Sequence, residues 1–316
     1  MNAPLYVIGI DGGGMKTTAV LCAMDGIILS EAQGGPTNFH HVGLEKTAST
    51  ILDLMQTCCH SVGCSISQIG AIVAGLAGAG RLPDQQHIME KVLDAALSRN
   101  EHIQKIIIES DARIALEGAF SGKPGIVVIV GTGSIVYGKD ERNKTYRAGG
   151  WGRFIGDEGS GYAIGREVFH AVAKMLDGHG EKTTLLKLFD EKFGWGSPDA
   201  LIDAVNREGN DFATIVPAVL EAAAKGDAVS KKILIHACAD LVEVINCVVK
   251  KMNRGKGNTR KRPLACIGTV LVNDNFYSRK VRSVLKREIP NISVRPSESS
   301  PVVGAALMAL RVLQER

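Results

Sequence analysis

Near its start the chain contains the stretch that decides its fold: Ile8-Gly9-Ile10-Asp11-Gly12-Gly13-Gly14-Met15-Lys16-Thr17-Thr18-Ala19-Val20. An apolar strand ends in one carboxylate, three glycines and Lys-Thr-Thr follow, and a second apolar strand then continues to Cys22. Three consecutive glycines cost conformational entropy, so they fit a backbone that must adopt positive φ or approach another group closely. The pattern therefore predicts a β-hairpin whose turn is almost bare backbone.

The turn of this hairpin has the groups that bind phosphate. Backbone N–H groups in a turn form a concave anion-binding nest, and Lys16, Thr17 and Thr18 add further donors. Asp11 is suited to face a Mg²⁺ ion that accompanies the phosphates. An ordinary hairpin with a glycine-rich turn would have the same residues, so the hairpin alone leaves both interpretations open.

A second segment repeats the design in the middle of the chain: Gly125-Ile126-Val127-Val128-Ile129-Val130-Gly131-Thr132-Gly133-Ser134-Ile135-Val136-Tyr137-Gly138. It again places a turn of small residues between two apolar strands. Two hairpins of this type predict two related half-molecules that close on one nucleotide from both sides.

Composition limits the class of protein. With 316 residues, of which 45% are hydrophobic, the chain is long enough for two domains with sizeable cores. The net charge of +4 is mild, and the two Trp and five Tyr residues do not lie on basic patches, so nucleic acid is not expected as a partner. No basic segment followed by an apolar one lies near residue 1, and no run of about 18 apolar residues occurs. We expect a cytoplasmic protein without membrane contact.

The seven cysteines form an odd number without a C-x-x-C pair, which is typical of reduced, buried thiols in a cytosolic protein. Cys58, Cys59, His60 and Cys64 are close together in the sequence, but a second pair of ligands at zinc spacing is missing. A metal site is therefore not favoured there. The seven basic residues within positions 250–262 are expected to form a solvated loop.

Apolar strands alternate with segments of helical periodicity, which predicts largely parallel sheets. The first half has the order βββαβαβα, and the second half repeats it with a helical insertion. The Gly- and Pro-containing residues 120–125 mark the boundary between domains 1–118 and 119–316, and the last helix is expected to pack back on the first domain. Helices are predicted over residues 44–60, 83–98, 112–118, 162–176, 182–189, 198–206, 211–224, 228–252, 276–286 and 301–313.

Asp111 is the strongest candidate for a catalytic carboxylate, because it follows a buried strand at the end where ligands bind in parallel sheets. There it could accept the proton of a hydroxyl that attacks a γ-phosphate. It would equally suit the N-cap of the helix that follows, and the two roles are compatible. The segment Ser121-Gly122-Lys123-Pro124 lacks the earlier glycine and the hydroxyl of a P-loop. Neither a P-loop NTPase nor a Rossmann fold is favoured, the latter because the first glycine-rich turn leads into a strand.

Two loops have the composition of a sugar site. Asn38 lies in a Gly/Pro loop, and its amide offers donors and acceptors to sugar hydroxyls. The loop 149–161 is rich in glycine, and Trp151 adds an apolar face. In the same loop Asp157 is able to accept from a hydroxyl, whereas Glu158 also suits the first turn of a helix.

Together these segments resemble the actin/hexokinase/Hsp70 ATPase superfamily. Within it the chain is similar to the BadF/BadG/BcrA/BcrD ATPase family, and most of all to its N-acetylglucosamine kinase branch. The most specific match is the glycine-rich loop from Gly149-Gly150-Trp151-Gly152 to Gly156-Asp157-Glu158-Gly159-Ser160. The resemblance implies an α/β fold of two actin-like, ribonuclease-H-like domains, each βββαβαβα, with a cleft between them. The other matching segments are residues 9–14 with Lys16 and Thr17, 36–38, 110–112, 131–134, 226–227, 267–270 and 301–306.

The resemblance also implies roles for individual residues and the use of ATP and Mg²⁺. Asp111 would remove the proton from the sugar 6-hydroxyl, and Asp11 would hold Mg²⁺ through water. ATP would contact Asp11, Gly12, Gly13, Gly14, Met15, Lys16, Thr17, Thr132, Gly133, Gly226, Gly268 and Thr269. The amino sugar would contact Asn38, Asp111, Ser134, Ile135, Gly150, Trp151, Gly152 and Asp157.

The chain departs from similar kinases at three places. Met15 stands where a hydroxyl residue is common, which puts one phosphate contact in doubt. Phe39-His40 and Arg153-Phe154-Ile155 differ from the animal enzymes, so the sugar is left open.

The sequence thus predicts an ATP-dependent kinase for the 6-hydroxyl of an amino sugar, with N-acetylglucosamine as the first substrate and a homodimer as the default assembly. Glucosamine and N-acetylmuramic acid kinases are alternatives. An ATPase that activates a CoA-thioester dehydratase or reductase through a shared iron–sulfur cluster is disfavoured, because Cys238 and Cys247 lie in a helical apolar pattern. A sugar sensor without catalysis is the third interpretation.

Overall fold

The protein is described by a computed structural model that covers residues 6–206, 211–253 and 261–314. The chain divides into two compact units: unit 1 consists of Met1–Gly125 with Pro296–Arg316, and unit 2 of Ile126–Arg295. The boundary predicted between residues 118 and 119 falls a few residues before this division. The C-terminal helix is grouped with unit 1.

Unit 1 is built on a five-stranded sheet in the order β3-β2-β1-β4-β5. The first three strands form antiparallel neighbours, and β1, β4 and β5 run parallel. The strands are β1 Tyr6–Gly12, β2 Thr17–Ala23, β3 Ile28–Gly34, β4 Ile69–Leu76 and β5 Ile106–Ser110.

Helices cover both faces of this sheet, so its central strands are apolar on both sides. Along β1, Ile8 packs in the core formed with α1 and α2, and Val7 packs in the core formed with α3 and α11, as the two-residue period of a strand requires. The helices are α1 Phe39–Val62, α2 Leu82–Ser98, α3 Asp111–Ala119 and α11 Pro301–Gln314, with a 3₁₀ turn at Ile66–Gln68.

The C-terminal helix α11 packs against the backbone of β1 and α3 at two glycines. A Cβ atom at Gly9 would lie 2.4 Å from the Ala306 nitrogen, and one at Gly304 would lie 2.1 Å from the Ile114 oxygen. Any larger residue would push α11 away from the sheet. These glycines therefore fix the position of α11 in unit 1.

Unit 2 repeats the topology of unit 1. Its sheet has the order β10-β9-β6-β7-β8, which becomes the order of unit 1 when β6 to β10 replace β1 to β5. The predicted duplication of an actin-like α/β fold is thus confirmed at the level of strand order. The strands are β6 Gly125–Val130, β7 Ser134–Lys139, β8 Thr145–Gly149, β9 Arg262–Ile267 and β10 Ile292–Arg295.

The helices of unit 2 include the predicted insertion between β8 and β9. The longest of them contributes an apolar stripe to the core, including Leu234, Leu241 and Ile245. The helices are α4 Gly161–Leu176, α5 Leu185–Phe193, α6 Pro198–Asn206, α7 Val216–Ala224, α8 Ala228–Asn253, α9 Thr269–Val272 and α10 Phe276–Glu288, with a 3₁₀ turn at Phe212–Ile215.

Three predicted helix starts are wrong, each for a local reason, and α5 also ends at Phe193 and not at residue 189. Helix α1 begins at Phe39 and not at residue 44, because the Asn38 side chain accepts from the His40 N–H and caps it; Gly43, with φ of 78°, then interrupts it. Helix α5 begins later than residue 182, because the preceding turn is held by the Asp227 carboxylate. The helix predicted from residue 211 begins with the 3₁₀ turn, and α7 follows it.

Residues 254–260 of the predicted basic loop lie outside the described residues. Lys250 and Lys251 belong to the last turn of α8. Within the ranges that the structure describes, none of the helices combines the length and the hydropathy needed to span a membrane.

Candidate active site

The carboxyl ends of three parallel strands form the site of unit 1. Asp11 on β1 is paired with Gly75 on β4, and Leu76 on β4 is paired with Ser110 on β5. Asp111 follows directly after β5. Parallel strands end at the same edge of a sheet, so the fold brings Asp11 and Asp111 to one edge.

The pKa of the Asp11 carboxyl lies above its ordinary value. Burial raises its pKa from 3.8 to about 6, the nearby Asp111 carboxyl raises it as well, and the Lys16 ammonium lowers it. Two carboxyls and one cation of unit 1 therefore interact at this edge. This is the charge pattern expected where a cation or a reacting proton is to be bound.

Asp111 is free of the capping role that the sequence allowed. The N-cap of α3 is Ser110, whose hydroxyl oxygen accepts from the Arg113 N–H at 3.2 Å. Asp111 is the first helical residue, and its Oδ1 accepts from the Ala112 N–H at 2.8 Å. Burial raises the pKa of Asp111, and this backbone hydrogen bond partly opposes the shift. The N-cap interpretation of Asp111 is thus wrong, although its carboxyl still accepts from the backbone of the first turn.

The turn of the first hairpin presents bare backbone. Gly13 N–H donates to the Lys16 oxygen at 3.0 Å and closes the turn. A Cβ atom at Gly14 would meet nothing within 4 Å, whereas one at Gly12 would lie 2.0 Å from Thr37 Oγ1. Met15 is 91% exposed. The loop therefore leaves its outer side open to a ligand while Gly12 is packed from within.

The Thr17 hydroxyl is used inside unit 1. It donates to the Gly35 oxygen at 2.7 Å and is 2.9 Å from the Thr37 hydroxyl, and both threonine side chains are buried. The Thr37 N–H donates to the Gly13 oxygen at 3.1 Å. These bonds connect the phosphate-type hairpin to the loop that ends in Asn38. The geometry gives Thr17 a positioning role.

The second hairpin is attached to the start of α4. The Gly131 N–H donates to the Gly133 oxygen at 2.9 Å across the turn. The Gly161 and Tyr162 N–H groups donate to the oxygens of Gly131 and Thr132 at 2.9 and 3.0 Å. The hairpin is thus held from one side by the segment that follows the glycine-rich loop.

Asp157 joins the glycine-rich loop to the second hairpin. Its backbone has φ of 60°, a conformation that costs energy for a non-glycine residue and is concentrated at functional sites. Its side chain is 8% exposed and accepts from the N–H groups of Ser134 and Gly152. A Cβ atom at Gly133 would lie 2.8 Å from Asp157 Oδ2. Burial raises the pKa of Asp157, and the two backbone donors oppose the shift.

The remaining predicted sugar residues of unit 2 frame this loop. Ser134 is buried, and its hydroxyl donates to the Glu158 oxygen at 2.8 Å. A Cβ atom at Gly150 would lie 2.4 Å from Ile135 Cδ1, so this side chain supports the loop. Trp151 is 68% exposed, with the Arg147 guanidinium 5.8 Å from its ring. Trp151 therefore presents an apolar surface, as do Phe154 and Ile155 of the same loop, each 79% exposed.

The predicted adenosine residues have different surroundings. Gly268, with φ of 101°, packs so closely that a Cβ atom would lie 1.9 Å from the Val130 oxygen. It thus touches the strand that enters the second hairpin, and Thr269 follows it at the start of α9. Gly226, also with φ of 101°, has open space where a Cβ atom would be. It precedes Asp227, whose carboxylate accepts from Thr183 and the Ser230 N–H.

Asp211 belongs to the site although the sequence assigned it only to a helix start. Its Oδ2 accepts from the Thr132 hydroxyl at 2.8 Å, and its Oδ1 accepts from the Ala213 N–H at 2.9 Å. The two residues are far apart in the chain, so no local pattern in the sequence could reveal the contact. Asp211 therefore orients a hydroxyl of the second hairpin.

Replacing Asp211 by Ala is expected to raise the KM for ATP by about 2- to 10-fold, the effect of losing one such hydrogen bond. Asp211→Asn keeps an acceptor and should have a smaller effect. Steady-state kinetics of Asp211→Ala, Thr132→Val and the double variant are the measurement. If the two single effects on KM add fully in the double variant, Asp211 does not act through Thr132.

A cavity of about 630 Å³ adjoins the glycine-rich loop in unit 2. Its volume is within the range of small-molecule pockets. Trp151 and Glu158 line it from the loop, and Asp240, Glu243 and Lys251 line it from α8. The helical pattern of α8 predicted only a core helix, so this cavity was not predicted.

The carboxyl pair of unit 1 fits a magnesium ion that arrives with a nucleotide. Mg²⁺ is commonly bound by one or two carboxylates together with phosphate oxygens and water. Asp11, with Asp111 near it, supplies such carboxylates. In the part of the chain that the structure describes, no group of three or more His, Cys, Asp or Glu residues is arranged to hold a metal by itself.

Known proteins share this architecture over nearly the whole chain. The N-acetylmuramic acid/N-acetylglucosamine kinase of Clostridium acetobutylicum is 34% identical over 307 residues, which are 96% of this chain and 98% of that protein. The N-acetyl-D-glucosamine kinase of Dictyostelium discoideum is 32% identical over 315 residues, 96% of this chain and 97% of that one. A crystal structure of a candidate N-acetylglucosamine kinase from Chromobacterium violaceum superposes with a TM-score of 0.74 at 26% identity, covering 97% of this chain and 99% of the other.

Fold, site and relatives define the chain as an ATP-using phosphotransferase with an alcohol acceptor, built from two actin-like units. The model of the BadF/BadG/BcrA/BcrD ATPase family matches residues 8–309. The chain belongs to this family.

Proposed function

We propose that the protein transfers the γ-phosphoryl group of ATP to the 6-hydroxyl of N-acetylglucosamine. The observation on which the proposal depends is the pair of half-buried carboxyls at the strand ends of unit 1. Asp111 is not the N-cap of α3, and Asp11 interacts electrostatically both with Asp111 and with Lys16. The sugar is chosen because N-acetylglucosamine is named for both relatives that are more than 30% identical.

Asp111 acts as the general base in this proposal. Its carboxylate accepts the proton of the 6-hydroxyl while that oxygen bonds to the γ-phosphorus, and the bond from phosphorus to the bridging oxygen breaks to release ADP. A raised pKa makes the carboxylate a better proton acceptor. Mg²⁺, held by Asp11 through water, would neutralise phosphate charge when it is bound.

The glycine-rich loop of unit 2 and Asn38 of unit 1 bind the sugar in this proposal. Trp151 offers an apolar face, Gly150 and Gly152 offer N–H groups, and Asp157 holds the loop in place. The backbone of residues 12–16 and of residues 131–133 binds the phosphates. Ser134 and Thr17 act by positioning these loops, because their hydroxyls bond within the protein.

A sugar panel tests the proposal. ADP formation is coupled to N-acetylglucosamine, glucosamine, N-acetylmuramic acid and N-acetylmannosamine, and ³¹P NMR locates the phosphate on the product. We expect the highest kcat/KM with N-acetylglucosamine and a 6-phosphate as product. A higher kcat/KM with glucosamine or N-acetylmuramic acid would mean that this sugar, and not N-acetylglucosamine, is the substrate. Sugar binding without ADP formation would indicate a sensor. Light scattering tests the proposed homodimer.

Replacing Asp157 by Ala is expected to raise the KM for the sugar by about 10- to 100-fold, because two hydrogen bonds to a charged group that hold the loop are lost. Kinetics with varied sugar at saturating ATP are the measurement. Asn143→Ala is the matched control: Asn143 also has φ of 60° but lies in the turn between β7 and β8. An equal rise of the sugar KM in both variants would assign the effect to general loosening of unit 2.

A further inference from the structure

Four cysteines of unit 1 lie near the end of α1, and none of them belongs to the candidate active site. Cys58 and Cys59 lie in the last turns of α1, Cys64 follows the helix, and Cys22 lies on β2. Electrostatic interactions connect Cys22 with Cys58 and both helical cysteines with Cys64. All four are free thiols. The proposed phosphoryl transfer uses none of them.

The backbone of the helix end places Cys59 and Cys64 side by side. Gly63 adopts φ of 74°, and its N–H donates to the His60 oxygen at 3.2 Å. The Cys64 N–H then donates to the Cys59 oxygen at 3.0 Å. This is the pattern of a Schellman motif, which folds the chain after the glycine back against the last helical turn. Two residues five positions apart are thereby held together by main-chain bonds.

The two thiols also interact electrostatically. Burial raises the pKa of Cys59, and a hydrogen bond with the Cys64 thiol raises it further. Cys59 is only 3% exposed, whereas Cys64 is half-buried. A reagent from solution therefore reacts first with Cys64, whereas the Cys59 thiol is shielded from solvent.

Cys58 is oriented differently, although it neighbours Cys59 in the sequence. Its side chain is fully buried, and its Sγ donates to the Ala19 oxygen of β2 at 3.8 Å. Its thiol thus points toward the sheet. The turn geometry singles out one pair of the three cysteines at the helix end.

We propose that Cys59 and Cys64 form a reversible oxidation site whose co-reactant is a hydroperoxide. The Cys64 sulfur attacks the terminal peroxide oxygen, the O–O bond breaks, and a sulfenic acid and an alcohol form. The Cys59 sulfur then attacks the Cys64 sulfur, the S–O bond breaks, and water leaves with the thiol proton. Two thiols lose two electrons and two hydrogens, and the hydroperoxide is reduced to alcohol and water. A small dithiol reverses the step by exchange.

Mass spectrometry of the full-length protein tests the proposal. The protein is treated with tert-butyl hydroperoxide, free thiols are alkylated, and trypsin releases residues 47–81 with all three cysteines in one peptide. We expect a peptide that has lost two hydrogens and bears a single alkyl group, and its return to three alkyl groups after dithiothreitol. Gain of oxygen without loss of hydrogen would overturn the proposal.

Single substitutions identify the pair. Cys58→Ser should keep the loss of two hydrogens, whereas Cys59→Ser and Cys64→Ser should each abolish it. Abolition by Cys58→Ser with retention in Cys59→Ser would overturn the assignment. Because a buried Ser at position 59 could disturb packing, Cys59→Ala serves as a second variant, and sugar kinase activity before oxidation reports that each variant is folded.

Discussion

Replacing Asp111 by Asn is expected to lower kcat by about 10²- to 10⁴-fold, the usual loss when a general base is removed. The amide matches the carboxylate in shape and still offers an oxygen to the Ala112 N–H, so α3 should be undisturbed. Its oxygen cannot take up the proton of the sugar hydroxyl. Affinity for ATP should change little, because the backbone of the glycine turns is untouched. Steady-state kinetics and calorimetric titration with a non-hydrolysable ATP analogue are the measurements.

Glu109→Gln is the matched control for this variant. Glu109 lies two residues before Asp111 on β5, and burial raises its pKa as well, although Arg113 opposes the shift. It should retain kcat within about 3-fold, because the proposed step uses Asp111 and not Glu109 as the proton acceptor. If Asp111→Asn keeps full activity, Asp111 is not the base. If both variants lose activity equally, the cause is the charge of this strand end.

Replacing Asp11 by Asn is expected to reduce activity and to increase stability. Holding Mg²⁺ through water is typically worth about 10- to 100-fold in activity, so kcat/KM should fall by that factor. Stability should rise because the folded protein no longer contains a buried carboxylate that is repelled by Asp111. A pKa raised from 3.8 to about 6 corresponds to at most ~3 kcal/mol at neutral pH.

The gain in stability of Asp11→Asn should increase with pH. A carboxyl whose pKa is raised by folding binds its proton more tightly in the folded state, so it costs nothing at pH values below 3.8. The cost grows as pH rises from 3.8 to about 6, where the folded carboxyl ionises, and is constant above. The difference in unfolding midpoint between Asp11→Asn and the unchanged protein should follow this curve. Thermal unfolding from pH 4 to 8 is the measurement, and a difference that shrinks with rising pH would contradict the assignment.

The strand framework was predictable because it depends on local patterns. The apolar stretches that flank Asp11 and Gly131 predicted both hairpins, and the duplicated order of strands follows from them. The start of α1 was missed because residues 39–43 have no apolar periodicity. Its true signal is the cap at Asn38, a residue that the sequence had assigned only to the sugar.

Parts of the candidate site were less predictable, since they depend on pairs distant in the sequence. The sequence suggested that the Thr17 hydroxyl faces phosphate, but whether this hydroxyl is free depends on Gly35 and Thr37. The contact between Thr132 and Asp211 is of the same kind. The positive φ of Asp157 could not be assigned from the sequence, because non-glycine residues adopt it in only a few per cent of cases, although aspartate is enriched among them. That both hairpins bind one nucleotide stays a prediction.

The position of α11 late in the chain determines when unit 1 can complete its fold during translation. Unit 1 needs residues 301–314 to cover Val7 and Val20, yet residues 126–295 are synthesised in between. At roughly 5–20 residues per second, this face of the sheet stays uncovered for about ten seconds or longer during translation. Unit 2 is contiguous, and this interval is the time in which it is synthesised. We therefore expect the nascent chain to expose an apolar surface that holding chaperones recognise until translation ends.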